Sequence, residues 1–296
     1  MIWFILAFLA AFFDSVKGVF SKKSVKNIDE YIVSWALRFF TLLFLLSAFV
    51  FIEIPQIGDR FLMALLIGGS INAITTVLVV KALKYSELSI VAPIITFTPL
   101  FLLVTSPIIT GEFPTVFGLI GVFLIVFGSY MLNIKKKSIG YLVPFKALLN
   151  ERGARLMLLA AFLWSITANI DKIGVQDSSP IFWAISVNAY IALIMFPIML
   201  HRIKLYKINK ASILSKNFSS GLKNLVMIGL CSSIVLACQM TAINMVLVIY
   251  VISIKRISAV ISVFFGCFIF KEKNIRERLV GSIIMVIGVL FIALLG

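Results

Sequence analysis

Residues 12–25 read FFDSVKGVFSKKSV, and residues 162–175 read FLWSITANIDKIGV. At a shift of 150, Phe12, Ser15, Lys22 and Val25 fall on Phe162, Ser165, Lys172 and Val175. A shift of 160 aligns the later segments: Ala82 falls on Ala242, Val91 on Val251, Glu112 on Glu272, Gly121 on Gly281 and Gly128 on Gly288. Each match alone is weak, because apolar helices resemble one another by composition. Their common order and their polar anchors point to an internal duplication.

The composition says what kind of unit was duplicated. The 296 residues are 61% hydrophobic and 13% charged, with a mean hydropathy of +1.13, whereas soluble chains run about 45–50% apolar and about 25% charged. This excludes a soluble enzyme, a nucleic-acid-binding domain and a disordered chain. A membrane-crossing helix needs about 20 mostly apolar residues. Apolar runs between polar breaks define ten segments of about that length: 2–21, 31–52, 61–80, 88–109, 115–133, 156–174, 180–200, 224–244, 247–270 and 278–295. The first starts at Ile2 without a charged leader and without a small-residue cleavage site, and reads as a retained span.

Five is odd, so two five-helix units cross the bilayer in opposite senses. The predicted fold is an all-α integral membrane protein of ten transmembrane helices, arranged as two inverted five-helix repeats around a central cavity. The repeats occupy 1–133 and 156–296, joined by a basic linker at 134–155. Such inverted repeats are a recurrent architecture of secondary transporters, in which one half moves against the other about a mid-membrane site.

Charge agrees with the inversion. One side of the membrane collects Lys22, Lys23, Lys26, Lys81 and Lys84. The linker adds Lys135, Lys136, Lys137, Lys146, Arg152 and Arg155. The later loops add Arg202, Lys204, Lys207, Lys210, Lys216, Lys223, Lys271, Lys273, Arg276 and Arg278. The other side has Arg60 and Lys172. The positive-inside rule places the basic side in the cytoplasm and both termini outside a cytoplasmic membrane. Most of the net charge of +15 is thus a topology signal, and no nucleic-acid partner is needed to explain it.

With these residues in place, the chain resembles the drug/metabolite transporter superfamily in its ten-helix form with two EamA-like halves. Phe12-Phe13-Asp14-Ser15 and Phe162-Leu163-Trp164-Ser165 carry the likeness near the end of each first helix. Ala82-Leu83-Lys84-Tyr85-Ser86 with Pro93, the glutamates Glu112 and Glu272, and Gly121, Gly128, Gly281 and Gly288 carry it further. The resemblance implies a carrier of small organic solutes, with eight helices around a cavity and the fifth and tenth at the periphery.

An ionisable residue inside a span is costly, and is a candidate functional group by default. Five qualify: Asp14 and Lys17 in helix one, Arg38 in helix two, and Lys255 and Arg256 in helix nine. Counted along their helices, Asp14 and Arg38 stand at similar depth, so an ion pair between them is expected as a structural bridge or an inner gate. Lys17, nearer the interface, reads first as a snorkelling residue. Lys255 and Arg256 lie eight or nine residues into their span with no carboxylate at that depth, Asp171 and Asp177 being counted close to the outer surface. Two such cations leave room for an anionic ligand, for which Arg offers a planar fork and Lys a compact charge. The pair also resembles the helix-nine Lys-Arg dipeptide of the phosphate-translocator branch, which implies phosphate contact. The helix-four lysine of that branch has no counterpart between Leu88 and Ile109.

Asn188, Thr96, Tyr250 and Trp164 complete the candidate binding set, with Thr98, Asn72, Thr75, Asn169, Gln239, Trp35 and Trp183 as further polar or aromatic positions. Asp14, Arg38 and Lys17 are the candidate gate or coupling set. Pro93 and Pro99 are expected to break helix four, while the counterparts Ser253 and Ala259 leave helix nine unbroken. Cys231, Cys238 and Cys267 have no metal-ligand spacing, and His201, the sole histidine, sits in a basic loop. No catalytic or nucleotide-binding motif appears, so neither an enzyme, a cofactor, a metal site nor an ATP-binding subunit is expected. The expectation is a carrier of an anionic or zwitterionic solute, including phosphorylated ones, with the lipid bilayer as surroundings. The alternatives are a flippase for a phosphate-bearing lipid or lipid-linked sugar, and an exporter of amino acids or drug-like metabolites.

Overall fold

The computed structural model describes residues 1–24, 30–49, 53–86, 94–133, 151–205, 216–261, 265 and 275–296. The readings on Lys26, Pro93, Lys207, Lys210, Cys267, Lys271, Glu272, Lys273 and the 134–150 part of the linker lie outside these residues. A backbone in hydrocarbon must satisfy its own polar groups, which leaves helices as the spanning element for an apolar chain of this kind. The described residues accordingly form α1 (Ile2–Ser24), α2 (Glu30–Ala48), α3 (Phe61–Tyr85), α4 (Thr98–Ile109), α5 (Val116–Asn133), α6 (Arg152–Gln176), α7 (Pro180–Leu205), α8 (Lys216–Met245), α9 (Val248–Lys255) and α10 (Ile275–Leu295). Tyr31–Ala48, Phe61–Ala82, Arg152–Gln176, Pro180–Lys204 and Lys223–Met245 are each long and apolar enough to cross a membrane, and Thr98–Ile109, Val116–Met131 and Val280–Leu295 are shorter apolar helices.

The inverted repeat is visible in which helices touch. If the halves are equivalent, every contact between unlike helices must occur twice. The α1–α8 contact has its counterpart in α3–α6, α2–α8 in α3–α7, and α1–α9 in α4–α6. Three further pairs, α2–α7, α4–α9 and α5–α10, join a helix to its own equivalent, as elements beside a two-fold axis do.

Glycines show how close the last of these pairs comes. A Cβ at Gly121 would lie 2.6 Å from the carbonyl oxygen of Gly288, and one at Gly288 would lie 2.7 Å from that of Gly121. A Cβ at Gly128 would meet the Gly281 carbonyl oxygen at 2.6 Å. The two crossings map onto each other under the shift of 160, so the axis runs between them. Without a hydrophobic driving force in lipid, such backbone approach through small residues is how helices gain packing.

Helix α9 is central: Val248–Ile254 are all buried against α5 and α10 residues including Val122, Ile125, Met285 and Ile292. The span expected at 247–270 is not continuous. After Lys255 the hydrogen bonds tighten, Arg256 N donating to Ser253 O (3.0 Å) and Ile257 N to Ile254 O (2.9 Å), before helix resumes. In the other half, Thr96 and Phe97 form the turn before α4, where Phe97 N donates to Ile94 O (3.1 Å). Thr96 and Arg256 are equivalent at the shift of 160. The expectation that helix nine stays unbroken is therefore corrected. In α4, Pro99 removes a donor at the break. In α9 no proline is present, so the turn comes from the fold.

Candidate functional site

Four helices, α1, α2, α6 and α9, carry the charged side chains of the middle of the bundle. Arg38 of α2 and Asn188 of α7 are equivalent residues of the two halves, and they meet: Arg38 Nη1 donates to Asn188 Oδ1 (3.2 Å). Arg38 also donates to Thr76 Oγ1 of α3 from Nε (3.2 Å) and Nη2 (2.6 Å), and Thr76 passes a bond to the carbonyl of Asn72 (2.7 Å). The expected Asp14–Arg38 ion pair is not made. Asp14 instead pairs with Lys17 one turn along α1, an arrangement that needs no second helix. Lys17 is thus a partner of Asp14 and not only a snorkelling residue. Thr76→Val, which keeps the shape and removes the hydroxyl, strands two charge-assisted donors. A drop of about 2–3 kcal/mol in unfolding free energy is expected, read by thermal denaturation in detergent.

On α9, Lys255 Nζ donates to Gln239 Oε1 of α8 (2.6 Å). Asp14 lies within electrostatic reach of both Lys255 and Arg256, and Asp171 within reach of Arg38 and Lys255. The reading that no carboxylate shares the depth of Lys255 is therefore corrected. Asp171 is buried, 6% exposed, and accepts from Trp183 Nε1 (3.0 Å). The indole is held by α6 itself, where a Cβ at Gly174 would sit 2.3 Å from the ring. Around the centre, Lys17, Arg38, Lys255 and Arg256 face the two carboxylates Asp14 and Asp171, an excess of two positive charges.

Arg256 is the least satisfied of the four. Its Nε is buried and has no hydrogen-bond partner among the described residues, and one turn earlier on α9 the buried Ser253 Oγ is in the same condition. Buried polar groups are almost always partnered. The two unpartnered groups stand three residues apart, at the break in α9. Neither Ser253 nor Thr76 stands among the sequence candidates. A serine in an apolar helix carries no sequence signal, and nothing in the sequence separates Thr76 from its neighbour Thr75, whose hydroxyl bonds its own helix at Ile71 O (2.7 Å).

The other candidates have the following places. Tyr250 faces α5: its hydroxyl accepts from Thr115 N (2.9 Å), over Gly118, where a Cβ would be 2.0 Å from the hydroxyl oxygen. Trp164 is half-buried on α6. Thr96 is buried at the α4 break. Trp35 stacks on Phe39 at 4.8 Å and donates to Ala192 O (3.1 Å).

A second charged set joins the halves on the lightly charged face. Gly111, at φ 70°, ends α4 in the left-handed conformation open to glycine, and Glu112 turns inward behind it. Its carboxylate pairs with Lys172 of α6 and accepts from Val248 N at the start of α9 (2.9 Å). Lys172 also donates to Val246 O (3.0 Å). Both side chains are about nine-tenths buried. On the same face Arg60 Nη2 donates to Asp177 Oδ1 (2.8 Å), and Gly58 N to Asp177 O (2.8 Å).

Comparison with known proteins then decides the identity. The model of the EamA-like transporter family matches residues 1–134 and again 151–294. The chain belongs to the EamA-like transporter family. The double match is the duplication read at 12–25 and 162–175, and it makes the chain a multi-pass membrane transporter of small solutes. Members of this family are transporters, not enzymes. No curated protein matches the chain. Twenty-eight chains of solved structures do. One of them, described only as a crystal structure of a protein, has a TM-score of 0.72 over 99% of this chain and 96% of its own. At 13% identity it is similar in fold alone. In this EamA-like transporter, then, Arg38 and Asn188 meet where the two halves join.

Proposed function

We propose that this EamA-like transporter moves a small anionic or zwitterionic solute, phosphorylated ones included, across the cytoplasmic membrane by alternating access. Arg256 and Lys255 hold the anionic group, with Ser253 and Gln239 beside them, and Asn188, Thr96 and Trp164 complete the proposed set. Asp14, Lys17 and Arg38 form the coupling set. The basic loops face the cytoplasm, both termini lie outside, and no ATP-binding subunit takes part.

The observation that carries the reading is the buried guanidinium Nε of Arg256, without a partner among the described residues, in a centre where cations outnumber carboxylates by two. A buried unpaired donor is costly, and an incoming phosphate or carboxylate oxygen removes that cost. Paired helix breaks at Thr96 and Arg256 support the same place, since discontinuous helices supply ligand-facing backbone groups in transporters of this architecture.

A thermal-shift screen of the purified protein tests it, with glucose 6-phosphate, a nucleotide sugar, neutral amino acids and organic cations as probes. A ligand at 100 times its Kd stabilises the folded state by about 2.7 kcal/mol. Stabilisation by anions alone, lost in Lys255→Ala/Arg256→Ala, is the expected result. Equal stabilisation of parent and variant by cations or neutral amino acids sinks the anion assignment.

A further inference from the structure

We propose that Glu112 and Lys172 form the gate of the lightly charged face, a buried ion pair that holds this face closed and must separate for it to open. The inference rests on the alternating-access reading and assigns the element that gates it.

The partners belong to different halves. Glu112 follows α4 in the first repeat, whereas Lys172 and the α8–α9 junction belong to the second. One carboxylate thus ties three elements: Oε1 to Lys172 and Oε2 to the backbone of Val248 (2.9 Å), at the outer end of the helix that carries Arg256. Tyr250 adds a second tie from the same stretch of α9 to α5 through Thr115 N (2.9 Å). Asp177 adds a third between the α2–α3 and α6–α7 connections, through Arg60 and Gly58. All these bonds cross between halves on one face, and the turn at Lys255–Arg256 lies at the inner end of the tied segment. No other buried ion pair joins the halves among the described residues. Across the membrane the described links are of another kind: Ser86 Oγ donating to Glu151 (2.7 Å), and Tyr31 between the cations Lys81 and Arg202.

The chemistry suits a switch better than a rivet. A buried ion pair adds little stability over apolar packing, because desolvating both charges offsets their attraction, while removing one partner alone is severe. Dry, the Glu112–Lys172 attraction is strong. Once water enters, dielectric screening weakens it, and each charge is hydrated separately. The pair therefore favours two states, closed and dry or open and wet, over anything between.

The test is a distance measurement in lipid nanodiscs. Spin labels go on Phe113→Cys and Met245→Cys, both exposed and on opposite halves of this face, with Cys231, Cys238 and Cys267 replaced by alanine. The parent is expected to show a dominant short distance. Glu112→Gln and Lys172→Met are each expected to raise the ratio of a longer-distance population to the short one by about tenfold. If both variants are monodisperse and keep the parental distribution, the gate is overturned.

Should a variant fail to fold, Gly58→Cys/Asp177→Cys in the labelled parent answers alone. A Cβ at Gly58 would lie 3.0 Å from that of Asp177, close to the separation of about 3.5–4.5 Å in a disulfide. Oxidation is expected to remove the long-distance population, and an unchanged distribution overturns the proposal. These distances read the gate without any ligand, so its failure is seen separately from a failure of the anion reading, which the thermal-shift screen reports.

Discussion

Gly121→Ala is expected to cost about 2–4 kcal/mol of stability, the range of severe overpacking, and to reduce the monodisperse fraction after purification. The added Cβ would lie 2.6 Å from the Gly288 carbonyl oxygen and 2.7 Å from the Ile292 side chain. Backbone cannot step aside as a flexible side-chain tip can. Relief therefore requires α5 and α10 to part along their whole contact, which also carries Gly128 against Gly281. Gly128→Ala should behave alike, since its contact is the symmetry mate of the first. Gly18→Ala is the control: that glycine is also helical, but nothing lies within 4 Å of its Cβ position. It should be neutral or stabilise by up to about 1 kcal/mol, the helix propensity difference. Tryptophan-monitored thermal unfolding of the three proteins in one detergent checks the contrast. Equal behaviour of Gly121→Ala and Gly18→Ala would mean that the α5–α10 crossing is not as close as described.

Arg256→Gln is expected to weaken anion binding by about 100-fold, in line with losing charged hydrogen bonds of about 1.5–3 kcal/mol each. Lys255→Gln should weaken it less, by about tenfold, because Lys255 already commits one donor to Gln239 (2.6 Å), whereas Arg256 Nε has no partner to lose. Arg256→Lys keeps the charge but not the planar fork, and should recover only part of the loss. Isothermal titration with the best anion of the thermal-shift screen measures all three. A larger loss at Lys255 than at Arg256 would reverse the assigned roles.

Much of the architecture was legible in the chain. Span lengths, the one-sided basic loops and the matches at shifts of 150 and 160 predict the membrane class, the ten helices and the inverted duplication, because each depends on composition and order along the chain. The site was legible only in its ingredients. Asp14, Lys17, Arg38, Lys255 and Arg256 stand out as charges inside spans, but pairing them from depth failed. Depth supplies one coordinate along the membrane normal. Which helices are neighbours, and how each is rotated, supply the others. Asp14 thus pairs within its own helix, and Arg38 crosses to Asn188, its own equivalent at the two-fold axis.

Lys172 shows the same division. It was visible as one of two basic residues on the lightly charged side, and Glu112 as a repeated glutamate, yet nothing along the chain joins positions sixty residues apart. The left-handed turn at Gly111 and the seating of α6 against α4 bring them together. The break in α9 went unforeseen because no proline or glycine marks it. The helix passes through the middle of the bundle, buried on every side of Val248–Ile254, and its course there comes from packing. What the amino-acid order determined by itself is what hydrophobicity and charge count decide locally: that the chain spans a membrane, how often, and in two opposed copies. What only the tertiary structure decided is which charges meet and which buried donor is left without a partner, because those depend on the rotation and crossing of helices distant in sequence.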